Sequence, residues 1–462
     1  MSGIVYDRKM SDAEGLMWRL EKDPHLSSTF ANISILDHTP DFDLFRRRME
    51  RAATVIPRLR QVVRTVPGNL APPTWVDDSD FNIDRHVRRV ALPKPADERA
   101  LLDLATIVTA DPFDRMRPLW QFTVVEGLRG GRAALIQKMH HTIADGESGV
   151  QLSLEFLDFE RDAIPPAMPV PDLSDAVVEH AEDDAAEVVR DFLAATFRLP
   201  IGVVRQIREL LDNPDQIPDA GAAAADTLRG IVGQLGDTDE ARSPLWTERS
   251  LGRHLEVASA PFGPTKQASK ALGGTLNTAF LTIATEAVSR YHVELGTPVD
   301  ELRASMAIST RTDDSGANAF SLVRMLVPTG ELPIDERFRA IQTATEAAVE
   351  SSRSASLDAL AAFASTLPTS VVTRLARQQA QTVDFATSNV KGSPIPMYVA
   401  GAKLLSNYAV GPLSGVAFNL TLLSYLGRLD MGLNTDSAAV TEPALLRRFI
   451  ADAVDDLVRF AD

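Results

Sequence analysis

AALIQKMHHTIADG, residues 133–146, runs apolar and then stops on two histidines, a bend and an Asp-Gly pair. Ala133 to His140 predicts a strand, and WQFTVVE (120–126) predicts another. The glycine-rich GLRGGR (127–132) between them predicts the turn of a β-hairpin. Successive side chains of a strand point to opposite faces, so His140 and His141 cannot both face one cavity and are poor partners for holding a metal. Asp145 follows past the bend, where Gly146 relieves backbone strain. At about pH 7 a neutral imidazole can take the proton of a hydroxyl as its oxygen attacks a carbonyl. A thioester is already activated, so one base plus donors for the developing oxyanion is enough, with no covalent enzyme intermediate. The same residues allow a structural reading, in which one histidine is satisfied in the core and Asp145 caps the helix that follows.

Outward from the hairpin the pattern is mixed α/β. Asp43–Ile56 has helical spacing, with Leu44, Met49, Ala52, Ala53 and Ile56 near one face. Pro73-Thr74-Trp75 breaks it, Asp97–Ala110 is helical again, and Gly149–Leu157 starts another helix. From Arg161 the character changes to a proline-opened, acidic and Ala-rich run, which predicts a partly helical crossover over 161–242 between an N-terminal half (1–160) and a C-terminal half (243–462). Within it, Phe197–Leu211 is read as a helix packed on its own domain rather than a membrane-surface helix, because Pro200 interrupts it and Glu209 dilutes its charge. Beyond it, helices are expected over Leu276–Tyr291, Glu336–Arg353 (with Asp335 as cap) and Leu445–Phe460. Strands are expected over Arg303–Thr310 and Phe320–Val327, and short strands and turns over Pro394–Leu433.

Composition sets the limits. The 462 residues are 45% apolar and 24% charged, enough for two sizeable cores. A net charge of −16 argues against nucleic acid as a partner. With no cysteine, neither disulfides nor a thiol nucleophile exist in the chain. The N-terminus lacks the apolar core of a signal peptide, and no apolar run is long enough to span a bilayer. A cytoplasmic protein with at most peripheral contact with a membrane or lipid droplet is therefore expected. The remaining histidines are scattered, so no metal site is expected. There is no phosphate-binding glycine loop and no GxSxG elbow.

Several further blocks stand in a fixed order: DPFDRMRPLW (111–120), HHTIADG (140–146), SPLW (243–246), AISTR (307–311), Ala317-Asn318, SNVKGS (388–393) and GPLSGVAFNLTLLSYLGRLDMGL (411–433). In that order they resemble the bacterial wax ester synthase/diacylglycerol acyltransferase family over nearly the whole chain. HHTIADG matches the family's HHxxxDG in full, and Pro118-Leu119-Trp120 keeps the end of its PLDRxRPLW block. The resemblance implies a two-domain coenzyme A-dependent acyltransferase (chloramphenicol acetyltransferase-like) α/β fold with a central tunnel. It implies O-acyl transfer from acyl-CoA, a co-substrate rather than a cofactor, to diacylglycerol or a long-chain alcohol. The catalytic set it implies is His141 as general base, with His140 in support and Asp145 holding the loop through a charge pair with Arg311. Gly146, Pro118, Leu119, Trp120, Asn277 and Asn389 are the implied substrate-binding or supporting residues.

Coenzyme A is an anion, and an acidic chain repels it at long range, so local donors are required. Arg129, Arg132 and Lys138 could supply them, or form a solvated basic edge on the hairpin. The chain departs from the family where an Asn-Asp pair becomes Asn277-Thr278 and where SNVPGP ends as Lys391-Gly392-Ser393. These departures keep open a weakly active or noncatalytic lipid-binding paralogue of the same fold. A condensation-type enzyme shares the histidine motif but needs a carrier domain, and none is visible in the sequence.

Overall fold

The computed structural model describes residues 7–65, 72–144, 149, 152–163, 242–309, 320–352 and 369–461. The crossover expected over 161–242 lies almost wholly outside them, including Phe197–Leu211.

Local rules account for most elements of the N-terminal part. Helix α1 (Asp12–Leu20) opens with a capping box: the Ser11 hydroxyl accepts from the Glu14 N–H at 3.2 Å, and the Glu14 carboxylate accepts from the Ser11 N–H at 2.8 Å. Strand β1 (Thr29–Leu36) follows, then α2 (Phe42–Val55), which buries Phe45, Met49, Ala52 and Ala53 along one face. Strands β2 (Gln61–Arg64) and β3 (Thr74–Asp77) form a separate two-stranded sheet, and Thr74 of β3 also bridges to Lys9. After β4 (Val87–Ala91), Asp97 caps α3 (Glu98–Ala110). The expected hairpin is β5 (Trp120–Leu128) and β6 (Arg132–His140). β5 runs into the expected turn because an irregularity between Val125 and Leu128, with Gly127 at φ 83°, carries the strand past it. The helix expected from Gly149 is cut short by β7 (Leu157–Asp158), and much of its start lies outside the described residues.

The C-terminal part resumes with β8 (Arg253–Pro261), α4 (Phe262–Ala271) and α5 (Leu276–Glu294). Then come β9 (Glu301–Ser309), β10 (Phe320–Pro328), α6 (Ile334–Ser352) and α7 (Thr369–Gln381). Asp335, expected as a cap, sits inside the first turn of α6, where its carboxylate takes a hydrogen bond from Arg339. Strands β11 (Phe385–Val390), β12 (Tyr398–Val399), β13 (Ala402–Val410), β14 (Phe418–Tyr425) and β15 (Arg428–Asp436) precede α8 (Pro443–Val458). Helix α5 is buried nearly all round, which its many alanines permit. Its Thr282 and Thr285 hydroxyls donate to Thr278 and Leu281 carbonyls at 2.8 Å, so no polar atom there is left bare.

Two sheets organise the molecule. The seven-stranded one runs β4-β5-β6-β1-β13-β12-β7, and the six-stranded one runs β10-β9-β11-β14-β15-β8. Two strands of the first sheet thus come from residues 398–410. The carboxylate of Asp37 accepts the Lys403 N–H at 2.8 Å and fixes that entry. Between β13 and β15 the sheets meet at Gly432, where an added Cβ would lie 2.1 Å from the Ala409 carbonyl oxygen. Gly432→Ala must therefore push the sheets apart and should cost about 1–3 kcal/mol in urea unfolding. Gly15→Ala, inside α1 and with its added Cβ at an ordinary 3.6 Å from the Pro73 ring, should be neutral or gain up to ~1 kcal/mol. Equal stabilities for the two variants would show that the sheets do not meet as described.

Candidate active site

β6 delivers both histidines, and their surroundings differ sharply. His140 is 1% exposed, and its backbone N–H donates to the Leu119 carbonyl at 3.0 Å. Its Nδ1 accepts the Thr142 N–H at 3.2 Å and lies 2.7 Å from the Thr142 hydroxyl. That leaves the proton on Nε2, which points at the Glu21 carboxylate 3.1 Å away. His141 is half-buried. Its N–H donates to the Ser28 carbonyl at 3.1 Å, and its ring lies 4.7 Å from that of Phe30, tilted by 46°.

Glu21 ties the two together. Besides His140, it accepts the Ser28 N–H at 2.8 Å and the Ser27 hydroxyl at 2.7 Å. Burial pushes its carboxyl upward, but the hydrogen bond and charge of His140, with the Ser28 and Ser27 donors, outweigh that and hold it below the ordinary glutamate value. One carboxylate thus fixes the His140 ring and the Ser28 backbone that receives His141.

The other implied residues divide. Asp145, Gly146 and Arg311 lie outside the described residues, as do Ala317 and Asn318. Leu119 and Trp120 are fully buried; the Trp120 indole donates to the Leu59 carbonyl at 2.7 Å and stacks on His86 at 4.6 Å. Pro118 accepts the Trp120 N–H in the turn before β5. Asn277, on the first turn of α5, accepts a hydrogen bond from Asn389 at the end of β11. Thr278, the departure beside it, is buried and lies 3.0 Å from the capping hydroxyl of Thr275. Gly392 donates to the Ser424 hydroxyl at 3.2 Å, so the SNVKGS and SYLG segments form one rim. Val390, Leu423 and Tyr425 of that rim share an apolar cluster with Met139, Ile143 and Phe30 around the motif.

Lys138 does not sit on a solvated basic edge. It is 2% exposed, its Nζ donates to the Asp111 carbonyl and it lies 4.3 Å above the Phe113 ring. Burial lowers its pKa to about 8, against the pull of Asp111. It shares the strand face of His140, in a tightly packed strand, and cannot reach out to a dissolved anion. Arg129 remains exposed on the hairpin, and Arg132 is half-buried against the Arg129 carbonyl.

Residues 10–280 match the model of the wax ester synthase/diacylglycerol acyltransferase catalytic domain, and residues 316–457 match that of the WS/DGAT C-terminal domain. The chain belongs to this acyltransferase family. A putative diacylglycerol O-acyltransferase of Mycobacterium tuberculosis is 33% identical to it, over 98% of this chain and 93% of that protein. A probable diacylglycerol O-acyltransferase of the same species is 26% identical over 96% of this chain and 94% of its own. Among solved structures, the wax ester synthase/diacylglycerol acyltransferase from Marinobacter aquaeolei VT8 superposes with a TM-score of 0.67 at 19% identity, covering 98% of this chain and all of that one. The first condensation domain of the calcium-dependent antibiotic synthetase gives 0.61 at 14% identity, covering 100% and 98%. Both likenesses are of fold, and they agree with the two-domain coenzyme A-dependent acyltransferase architecture expected from the sequence.

Family motifs did not point to Glu21, Ser27, Ser28 or Phe30. The only available signal for Glu21 was its place at the end of DRKMSDAEGLMWRLE, which carries no chemistry until the fold brings it to His140. Also unforeseen is a polar row on the sheet face of Phe30: Asn32 and Ser34 both donate to the Asn407 side-chain oxygen at 2.7 Å, and Gln137 donates to Ser34 at 3.4 Å.

Removing the Glu21 carboxylate strands three donors. Glu21→Ala should cost about 2–3 kcal/mol, and Glu21→Gln, which keeps an acceptor, less than ~1 kcal/mol. Because the folded pKa is depressed, this contribution is present above the ordinary 4.5 and is lost as pH falls through the lower folded value. Melting curves should show wild type losing more stability than Glu21→Gln below pH 4.5. Parallel pH dependence in the two proteins would deny the carboxylate this role.

Proposed function

We propose that the chain moves a fatty acyl group from acyl-CoA to the hydroxyl of diacylglycerol or a long-chain alcohol, with His141 as general base. The observation that carries this reading is the asymmetry of the histidine pair. The His140 ring is held by Thr142 and Glu21 on one face of β6, and the half-buried His141 ring lies on the other, against Phe30 and beside the apolar cluster that joins the motif to the Asn389 rim. In the reaction, His141 takes the hydroxyl proton as the alcohol oxygen forms its bond to the thioester carbonyl carbon. The carbon–sulfur bond then breaks, and the imidazolium returns the proton to the departing thiolate. No cofactor is needed beyond the acyl-CoA co-substrate, since the thioester supplies the activation.

In this proposal Asp145 and Arg311 form the charge pair that holds the loop behind His141, and Gly146 permits its bend. In the same proposal a central tunnel between the two halves is required, through which both reactants reach His141. The acceptor reading favours diacylglycerol, which the names of the Mycobacterium tuberculosis relatives carry. The lipid-binding alternative rested on the departures at Asn277-Thr278 and Lys391. Asn277 bonds Asn389, and Thr278 sits against the cap of α5, so the fold absorbs the first of these departures. Contact with a membrane or lipid droplet is proposed as peripheral; among the described residues no helix is long and apolar enough to cross a membrane.

His141→Ala should lower kcat by about 10²–10⁴-fold in a free-thiol assay with acyl-CoA and diacylglycerol, with the far-UV spectrum and melting point retained. Replacing diacylglycerol by hexadecanol in the same assay identifies the acceptor class. Wild-type turnover in His141→Ala would remove the base assignment. Acyl-CoA and lipid that bind without alcohol-dependent thiol release would establish the noncatalytic alternative.

A further inference from the structure

An open cleft of about 550 Å³ lies where the end of α1 faces the first turns of α7. Lys22 and Asp23 line one side, and Ser370, Thr373, Arg374 and Arg377 line the other. Three cations therefore face one carboxylate, and that carboxylate, Asp23, is paired with Arg377 at 3.4 Å. Among the described residues neither Lys22 nor Arg374 makes an ion pair, whereas arginines such as Arg48, Arg51, Arg290 and Arg377 each bridge to a carboxylate. Helix α7 itself, TSVVTRLARQQAQ, contains two arginines and no acidic residue. In a protein of net charge −16 this is a local inversion of sign over a shallow, open surface cleft.

The position of the cleft matters as much as its charge. Lys22 follows Glu21, the residue bonded to His140, and the Ser27–Ser28 segment that receives His141 lies a few residues further on. α7 comes from the C-terminal part, so the cleft opens at a junction of the two parts, beside the histidine motif but outside it. A coenzyme A thioester needs this kind of separation. Its phosphates are held away from the reacting carbon by the pantetheine arm, so its anionic head must rest at a surface cleft while the thioester reaches inward. Clefts of about 300–1,000 Å³ are the usual size for such groups.

We propose that this cleft binds the phosphate-bearing nucleotide head of the acyl donor, with Lys22, Arg374 and Arg377 as its cationic contacts and the Ser370 hydroxyl as a donor; the Thr373 hydroxyl is already spent on the Thr369 carbonyl at 2.8 Å. The inference rests on the acyl-CoA reading above and adds a subsite to it. It also supplies the local cations that the buried Lys138 cannot.

The test uses the full-length chain, the double variant Lys22→Ala/Arg374→Ala, and two donors: palmitoyl-CoA and palmitoyl-pantetheine, which lacks the nucleotide. The expected result is a KM for palmitoyl-CoA raised about tenfold, with kcat much less affected. KM for palmitoyl-pantetheine should change far less, and inhibition by adenosine 3′,5′-bisphosphate should weaken in parallel. Raising salt should increase the wild-type KM for palmitoyl-CoA more than that of the variant. Unchanged KM and unchanged inhibition in an active variant would overturn the subsite and leave the acyltransferase reading intact. If wild type itself releases no thiol, calorimetric titration with adenosine 3′,5′-bisphosphate decides the cleft separately: binding lost in the variant supports it, and equal binding or none overturns it. A variant that keeps its KM but loses binding to vesicles containing phosphatidylglycerol would reassign these cations to a lipid surface.

Discussion

The carboxylate of Glu21 receives donors from its own loop, through Ser27 and Ser28, and from the far strand, through His140. The geometry of the histidine pair depends on it. Adjacent residues of a strand face opposite ways, so a His-His pair is divided as soon as β6 forms. The division becomes useful only when one ring is fixed. Here the buried ring is held by an acid and a threonine, and the backbone that follows is drawn into register with Ser28. His141 is thereby presented by a scaffold whose polar groups are already satisfied. A partly satisfied network in the same place would cost more than an apolar one.

The same logic of fixed registers joins the two parts of the chain. β13 leaves the C-terminal part to lie beside β1, pairing Ala31 with Val410 and Ser34 with Asn407. The Asn407 N–H then reaches the Asp430 carboxylate of the other sheet at 2.9 Å, so one strand is bonded toward both sheets. Asp384, fully buried, accepts the backbone N–H groups of Arg303 at 2.7 Å and Ser243 at 2.9 Å, which seats the SPLW segment on the second sheet. Burial raises the pKa of this carboxyl, and the backbone donors oppose that. The SPLW block therefore has a plain physical use: Ser243 donates to His292, whose other nitrogen donates to the Val288 carbonyl, and Trp246 fills the core beside it.

What could be read in the sequence follows from the range of the interactions involved. Hairpin β5–β6, helices α2, α3 and α5, and the strands β9 and β10 are set by periodicity and turn chemistry within a few residues, and they lie close to where those signals put them. Motif order gave the family and with it the fold. Contacts that depend on distant parts of the chain carried no such signal. Glu21 meets His140 across 119 residues, and Asn389 meets Asn277 across 112. Lys138 misled for a related reason. A lysine near two arginines on a hairpin suggests an exposed edge, but β6 is an interior strand between β5 and β1, and its whole length after Arg132 is buried.

The charge of the molecule turns that burial into a constraint on function. A net −16 produces a field that disfavours any anionic donor at low ionic strength, yet at physiological salt such a field is screened beyond roughly 8 Å. Capture of the donor is therefore decided by charges within a few ångströms of the binding surface. Of the two cations on the histidine strand, Lys138 is sealed against Phe113 and committed to a backbone carbonyl, and Arg132 stands at the end of β6 farthest from the histidines. Cations for the donor must then come from elements that flank the motif, and they must be held apart from the carboxylates that cover the rest of the surface. A helix with arginines and no acidic residue, docked against the segment that positions the histidines, meets both requirements, and on the proposal above it is how an acidic exterior and an anion subsite share one chain.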